Sequence, residues 1–143
     1  SHTALLNICC LHDIYGRGMT SVALALIKTG KSDPGAQLSD GYTALIEACY
    51  RGMTSVALAL IATGESKPEV QTDNGYTALI NACNRGMTDV VFVLLATGKS
   101  NPEARNKLGH DAIYYAKSPD LKYAIRCECA YLRRRAFVVS LGI

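Results

Sequence analysis

Six consecutive residues, Gly41-Tyr42-Thr43-Ala44-Leu45-Ile46, return unchanged at Gly75-Tyr76-Thr77-Ala78-Leu79-Ile80, 34 positions later. A degraded copy, Gly109-His110-Asp111-Ala112-Ile113, begins another 34 residues on. Self-similarity at a fixed spacing of about 20–50 residues marks a stacked repeat array. Each unit of such an array buries its apolar face only against its neighbours. This constrains the fold more tightly than any other property of the chain.

Residues 37–70 and 71–104 agree at about twenty of 34 positions. Each opens with a polar turn, Leu38-Ser39-Asp40-Gly41 or Thr72-Asp73-Asn74-Gly75, whose Gly permits positive φ. Thr43 and Thr77 follow as N-caps, offering a hydroxyl to the first free amides of a helix. Ala44, Leu45, Ala48 and Cys49 then form a small apolar face at helical spacing. Gly52 and Gly86 end this short helix. Thr54 or Thr88 opens a second one, with Val56, Ala57, Leu60 and Ile61 (or Val90, Val91, Leu94 and Leu95) inward, closed by Gly64 or Gly98. Glu65-Ser66-Lys67-Pro68 and Lys99-Ser100-Asn101-Pro102 lead onward. The unit is helix, turn, helix, protruding loop.

This pattern resembles the ankyrin repeat over about residues 3–125. The family's Thr-Pro-Leu-His reads Thr-Ala-Leu-Ile here, and the period is 34 rather than 33, with the extra residue between Gly64 and Gly75. Ala replaces a preorganising Pro with a good helix former, whereas losing His removes a hydrogen bond the family commonly makes with Thr. The resemblance implies an all-α helix-turn-helix solenoid, a single domain over residues 1–143. About four repeats, at approximately 3–36, 37–70, 71–104 and 105–132, would precede a C-terminal tail, 133–143.

The outer repeats depart from the pattern, as end caps do. Thr3-Ala4-Leu5-Leu6 and Ile8-Cys9 open the first, and six extra residues, Leu11 to Gly16, precede Arg17-Gly18-Met19-Thr20. That insertion should bulge or lengthen a helix without breaking the stack. The chain begins at Ser1-His2-Thr3, without Met, which suggests a piece of something longer. In the fourth repeat Asp111 replaces the capping Thr, and Ser118-Pro119 makes a strong helix start. Leu121, Ala124, Ile125, Cys129 and Leu132 follow at helical spacing. Residues 133–139 either continue that helix or begin another element.

The chain carries 49% apolar and 19% charged residues, which suits a folded domain. Its longest apolar run, Val56 to Ala62, falls far short of the roughly 18 residues a membrane span needs. Of six Cys, Cys9, Cys49 and Cys83 each lie six residues after a repeat's Thr, on neighbouring helices. Such helices sit about 8–10 Å apart and bridged Cα atoms within about 7 Å, so this ladder should stay reduced. A reduced ladder without a signal peptide or membrane span points to an intracellular, cytoplasmic protein.

Little supports catalysis. His2, His12 and His110 are scattered, Cys9-Cys10-Leu11-His12 lacks zinc-site spacing, and Cys127-Glu128-Cys129 reads as one buried and one exposed thiol. No phosphate-binding loop, nucleophile elbow or paired-carboxylate site appears. The expectation is a non-enzyme with no catalytic residue, cofactor or metal. A net charge of +3 is too slight to argue for nucleic acid, and Arg133-Arg134-Arg135 reads as a solvated face.

In the ankyrin family, partners meet the loop tips and the inner surface of the first helices. Carried over by position, repeat two supplies Ser39, Asp40, Tyr42, Tyr50 and Arg51. Repeat three supplies Asp73, Asn74, Tyr76, Asn84 and Arg85, and repeat four Lys107 and His110. Tyr42 should point out of the stack, unless it and Tyr76 merely pack along the loops. Asn7, Glu47, Asn81 and Tyr115 form a ladder where the family often has Leu, reading as a wet groove floor or as local hydrogen bonding. Leu24, Leu58 and Phe92 either line an exposed outer stripe suited to self-association or bury against adjacent helices. The expected function is protein recognition through loops and groove. The alternatives are a targeting module of a larger enzyme or effector, or a self-associating structural array.

Overall fold

The computed structural model describes residues 4–142 except Gly16; the side chains of residues 10–17 also lie outside the described set. Eight helices are described, in four successive pairs: α1 (Ala4–Tyr15) with α2 (Arg17–Thr29), α3 (Ala44–Tyr50) with α4 (Thr54–Ala62), α5 (Ala78–Arg85) with α6 (Thr88–Ala96), and α7 (Ala112–Tyr115) with α8 (Pro119–Ser140). The first helices stack on one another as one row, α1, α3, α5, α7, and the second helices as a parallel row, α2, α4, α6, α8. Among the described residues no strand forms, and a single bridge joins Gln37 to Thr43. The outcome is the all-α repeat solenoid.

The caps follow the sequence. Thr43 and Thr77, in extended conformation, accept the amide hydrogens of Ile46 and Ile80 at 3.2 and 3.1 Å. Asp111 does the same for Tyr114 at 3.0 Å, and Ser118 for Leu121 at 3.2 Å. Thr3, the equivalent residue of the first repeat, lies outside the described residues. The second helices α4 and α6 lack this device: Met53 and Met87 hold the cap position and make no side-chain cap bond. The far ends of α2, α4 and α6 are tied by a threonine ladder. Thr29, Thr63 and Thr97 each donate to the carbonyl three residues back and accept the amide hydrogen two residues ahead.

The core runs between the two rows and is continuous through all four pairs. Leu45, Ala48 and Cys49 meet Val56, Ala57 and Leu60, all fully buried, and the pattern repeats one unit on. Cys9, Cys49, Cys83 and Cys129 are buried free thiols, and Cys127 is exposed. Burial pushes the Cys83 thiol up to about 12, and raises that of Cys49 further, with Cys83 and Cys9 adding to the effect. Small thiols therefore serve as neutral apolar packing.

The loops are stapled to one another. Asp73 N donates to Asp40 O and Lys107 N to Asn74 O, each at 2.9 Å, so successive tips form a backbone chain. Gln37, Gln71 and Arg105 donate side-chain hydrogens to the carbonyls of Gly41, Gly75 and Gly109. Gly41 and Gly75 are required twice over. Their φ values are 86° and 83°, and a Cβ would meet Gln71 O at 3.1 Å or Asn106 Cα at 2.7 Å in the next loop.

At the ends, the six-residue insertion of the first repeat lengthens α1, which has 12 residues against seven in α3. Residues 133–139 continue α8 as far as Ser140. Leu121, Ile125 and Cys129 bury the early turns of α8, whereas Arg133 to Gly142 are exposed.

Candidate functional site

The last turns of the first helices α3 and α5 reach the surface. Tyr50, Asn84 and Arg85 are exposed there, and Arg51 is half-buried. Tyr50 is the hub. The Arg51 guanidinium lies 5.3 Å and that of Arg85 5.6 Å from the Tyr50 ring centroid, both within cation–π reach. Arg85 Nε also donates to the Tyr50 carbonyl at 2.6 Å, linking repeats two and three. Arg51 Nε reaches back one turn to Glu47 Oε2 at 3.3 Å.

The floor differs from expectation. Asn7 is exposed, but Glu47 and Asn81 are only 7% and 4% exposed, and Tyr115 is half-buried. The ladder is not an open wet floor in its middle rungs: both residues are buried, and Glu47 makes the local bond to Arg51. Tyr42 also departs from an outward pose. Lying just before the cap residue, it packs half-buried against the core, as does Tyr76. Burial first, then the charges of Glu47 and Asp40, raise the Tyr42 phenol above the usual tyrosine range.

Ser39, Asp40, Asp73, Asn74 and Lys107 are all exposed along the chained loop tips. Asp40 Oδ1 accepts the Tyr42 amide hydrogen at 3.3 Å, an Asx turn that shapes its tip. His110 is half-buried and stacks on Tyr114 with ring centroids 3.6 Å apart and planes 10° apart. Tyr115 sits edge-on to both and lies 6.5 Å from Tyr76, while Asn106 Nδ2 donates to its hydroxyl at 3.0 Å. Tyr50, Arg51 and Arg85 thus converge, and Tyr76 meets His110 through Tyr115.

Tyr114 and Asn106 escaped the sequence reading. Tyr114 stands where Ile46 and Ile80 are buried, yet it is 63% exposed because α7 has only four residues. Asn106 is buried, and its Oδ1 accepts the amide hydrogens of Leu108 and His110. An aromatic pair at core positions of an atypical last repeat was the available signal.

On the outer face, Leu24 and Leu58 are half-buried against the core and Phe92 is 45% exposed beside the exposed Val93. The three residues do not make one continuous exposed stripe, since the first two rungs pack half-buried against the core. Arg133 pairs with Glu103, beside a cleft of about 220 Å³ under α8. His2 and the side chains of Cys10 and His12 lie outside the described residues; among those described, no His, Cys, Asp and Glu group is arranged to hold a metal ion. No described helix is long and apolar enough to cross a membrane.

A family profile described as "Ankyrin repeats (3 copies)" matches residues 6–106. With the paired helices, capped first helices and chained loop tips, this places the chain in the ankyrin-repeat family. The match ends before the atypical fourth pair. No curated protein gives a match. Members of this family are in general protein–protein interaction modules and typically non-enzymatic.

Proposed function

We propose that the chain binds a protein partner through its concave first-helix surface and loop tips, without catalysing a reaction, and that residues 1–143 act in this as one unit. The observation that carries this is the Tyr50–Arg51–Arg85 cluster. Tyr and Arg bind with large contact area at modest entropic cost, and here three of them converge on an exposed inner face. Ser39, Asp40, Asp73, Asn74 and Lys107 would supply polar contacts at the tips, with Tyr42, Tyr76 and His110 shaping the surface behind them. Glu47, Asn81 and Asn84 would complete the groove. The buried free thiols favour a reducing compartment such as the cytoplasm.

The test is affinity capture from the native cell lysate with the wild-type chain, Tyr50→Ala/Arg85→Ala and Phe92→Ala. Proteins retained by the wild type and Phe92→Ala but lost from the groove variant are expected. Capture unaffected by the groove variant sinks the proposal. Glu47→Leu/Asn81→Leu should likewise weaken capture; unchanged capture with a higher Tm would reject a binding role for those two.

Phe92 beside Val93 favours a second reading, self-association through the outer face, for which Leu24 and Leu58 supply the underlying packing. Sedimentation showing a monomer across the accessible concentration range would dismiss it. Either mode also suits a recruiting module whose activity is carried by residues outside this sequence.

A further inference from the structure

Repeats two and three are so alike that their differences inside the groove are informative. One such difference is Glu47 against Asn81; four residues on, both repeats have Arg, as Arg51 and Arg85. Residues four apart share a helix face. Glu47 uses this to compensate Arg51, with Oε2 and Nε 3.3 Å apart. Asn81 carries no charge, and among the described residues Arg85 has no ion pair with any carboxylate.

The Arg85 guanidinium is nonetheless held in place. Its Nε donates to the Tyr50 carbonyl at 2.6 Å and its carbon lies 5.6 Å from the Tyr50 ring centroid. Nε is therefore occupied, while the end-on pair Nη1 and Nη2 takes no hydrogen bond among the described residues. That pair matches the two oxygens of a carboxylate. One turn back, Asn81 is 4% exposed, and its side-chain amide also takes no hydrogen bond among the described residues. Fixed donors without acceptors, beside Tyr50, which is 47% exposed, define a site wanting an anion at the end of an amphipathic chain.

We propose that Arg85 and Asn81, backed by Tyr50, bind the carboxylate side chain of an acidic peptide segment in the partner. This rests on the groove reading above and adds the partner's chemistry to it. Arg85 forks the carboxylate through Nη1 and Nη2, Asn81 Nδ2 donates a further hydrogen bond, and the Tyr50 ring covers the methylene stem. Repeat two has no equivalent open site, because Glu47 already occupies Arg51. The acidic contact is centred on repeat three.

The experiment is nitrogen-15 NMR on the full chain, following the Arg85 Nε–H and the Asn81 side-chain NH₂ resonances. The probes are the acetylated, amidated peptide Ala-Glu-Ala-Glu-Ala, its Gln counterpart and inorganic phosphate. The Glu peptide should move both resonances saturably, and the Gln peptide should bind at least about tenfold more weakly. Inorganic phosphate, which matches the fork but has no methylene stem to lay on the Tyr50 ring, should bind more weakly than the Glu peptide. Asn81→Glu, which gives repeat three the acid of repeat two, should weaken the Glu peptide about tenfold while leaving the Tm near wild type. Arg85→Lys, which keeps the charge and loses the fork, should do the same to the Asn81 response. Equal response to the Gln peptide, a phosphate response as strong as the Glu peptide's, or undiminished binding to Asn81→Glu would overturn the proposal. Absence of any peptide response, while Tyr50→Ala/Arg85→Ala still abolishes capture, would overturn the acidic ligand and leave the groove reading standing.

Discussion

At the scale of single residues, glycines with the same backbone conformation have different neighbours. Gly64 and Gly75 have φ of 73° and 83°, but a Cβ on Gly64 would meet nothing within 4 Å, whereas one on Gly75 would meet Asn106 Cα at 2.7 Å. Gly64→Ala should cost only the strain of a left-handed residue, about 1 kcal/mol, and Gly75→Ala at least about twice that, measured by urea unfolding. The thiols give a pH dependence. The ordinary value is 9.0, and burial lifts Cys83 to about 12 and Cys49 further still. Their contribution is fully present below about pH 9 and is lost as pH rises towards the folded values, because only the unfolded chain can then ionise. The urea midpoint should therefore fall between about pH 9 and 12, and Cys83→Ala/Cys49→Ala should flatten that fall. At neutral pH a thiol reagent should label Cys127 promptly, and Cys49 and Cys83 only on unfolding.

At the scale of elements, capping separates the first helices α3 and α5 from the second helices α4 and α6. Thr43 is fully buried and accepts the Ile46 amide hydrogen, so Thr43→Ala should cost about 1 kcal/mol, within the usual 0.5–2 kcal/mol range for lost caps. Thr54 also begins a helix, but its side chain makes no cap bond, and Thr54→Ala should stay within about 0.5 kcal/mol. The α8 helix divides similarly. Ile125 is fully buried and Ile125→Ala should cost about 2–5 kcal/mol, while removing residues 136–143, exposed wherever they are described, should shift the urea midpoint little. The caps and inward faces were legible in the sequence, since they depend on spacing within one unit. The depth of Glu47 and Asn81 and the half-burial of Tyr42 were not. These depend on which side chains of the adjoining repeat lie over them, and Arg85 over Tyr50 joins residues 35 apart in the chain.

At the scale of the whole molecule, repetition made the architecture legible, because units that cannot fold alone must stack. The same repetition obscured the site. Residues that recur between units mainly turn, cap and pack, as Gly41, Thr43 and Leu45 do. The groove's character comes from positions that change from repeat to repeat: Glu47 to Asn81 and Tyr50 to Asn84 between the near-identical pair, and Tyr76 to His110 on entering the atypical fourth repeat. Their contacts form only once the repeats are in register, as in the Tyr76–Tyr115 and His110–Tyr114 ring pairs. A photo-crosslinking residue at position 84 on the inner face, compared with one at position 92 on the outer face, tests the central claim most directly, since both sites are exposed. Irradiation in the native cell lysate should attach a partner protein at position 84 and not at position 92. Attachment at position 92 alone would contradict recognition through the groove.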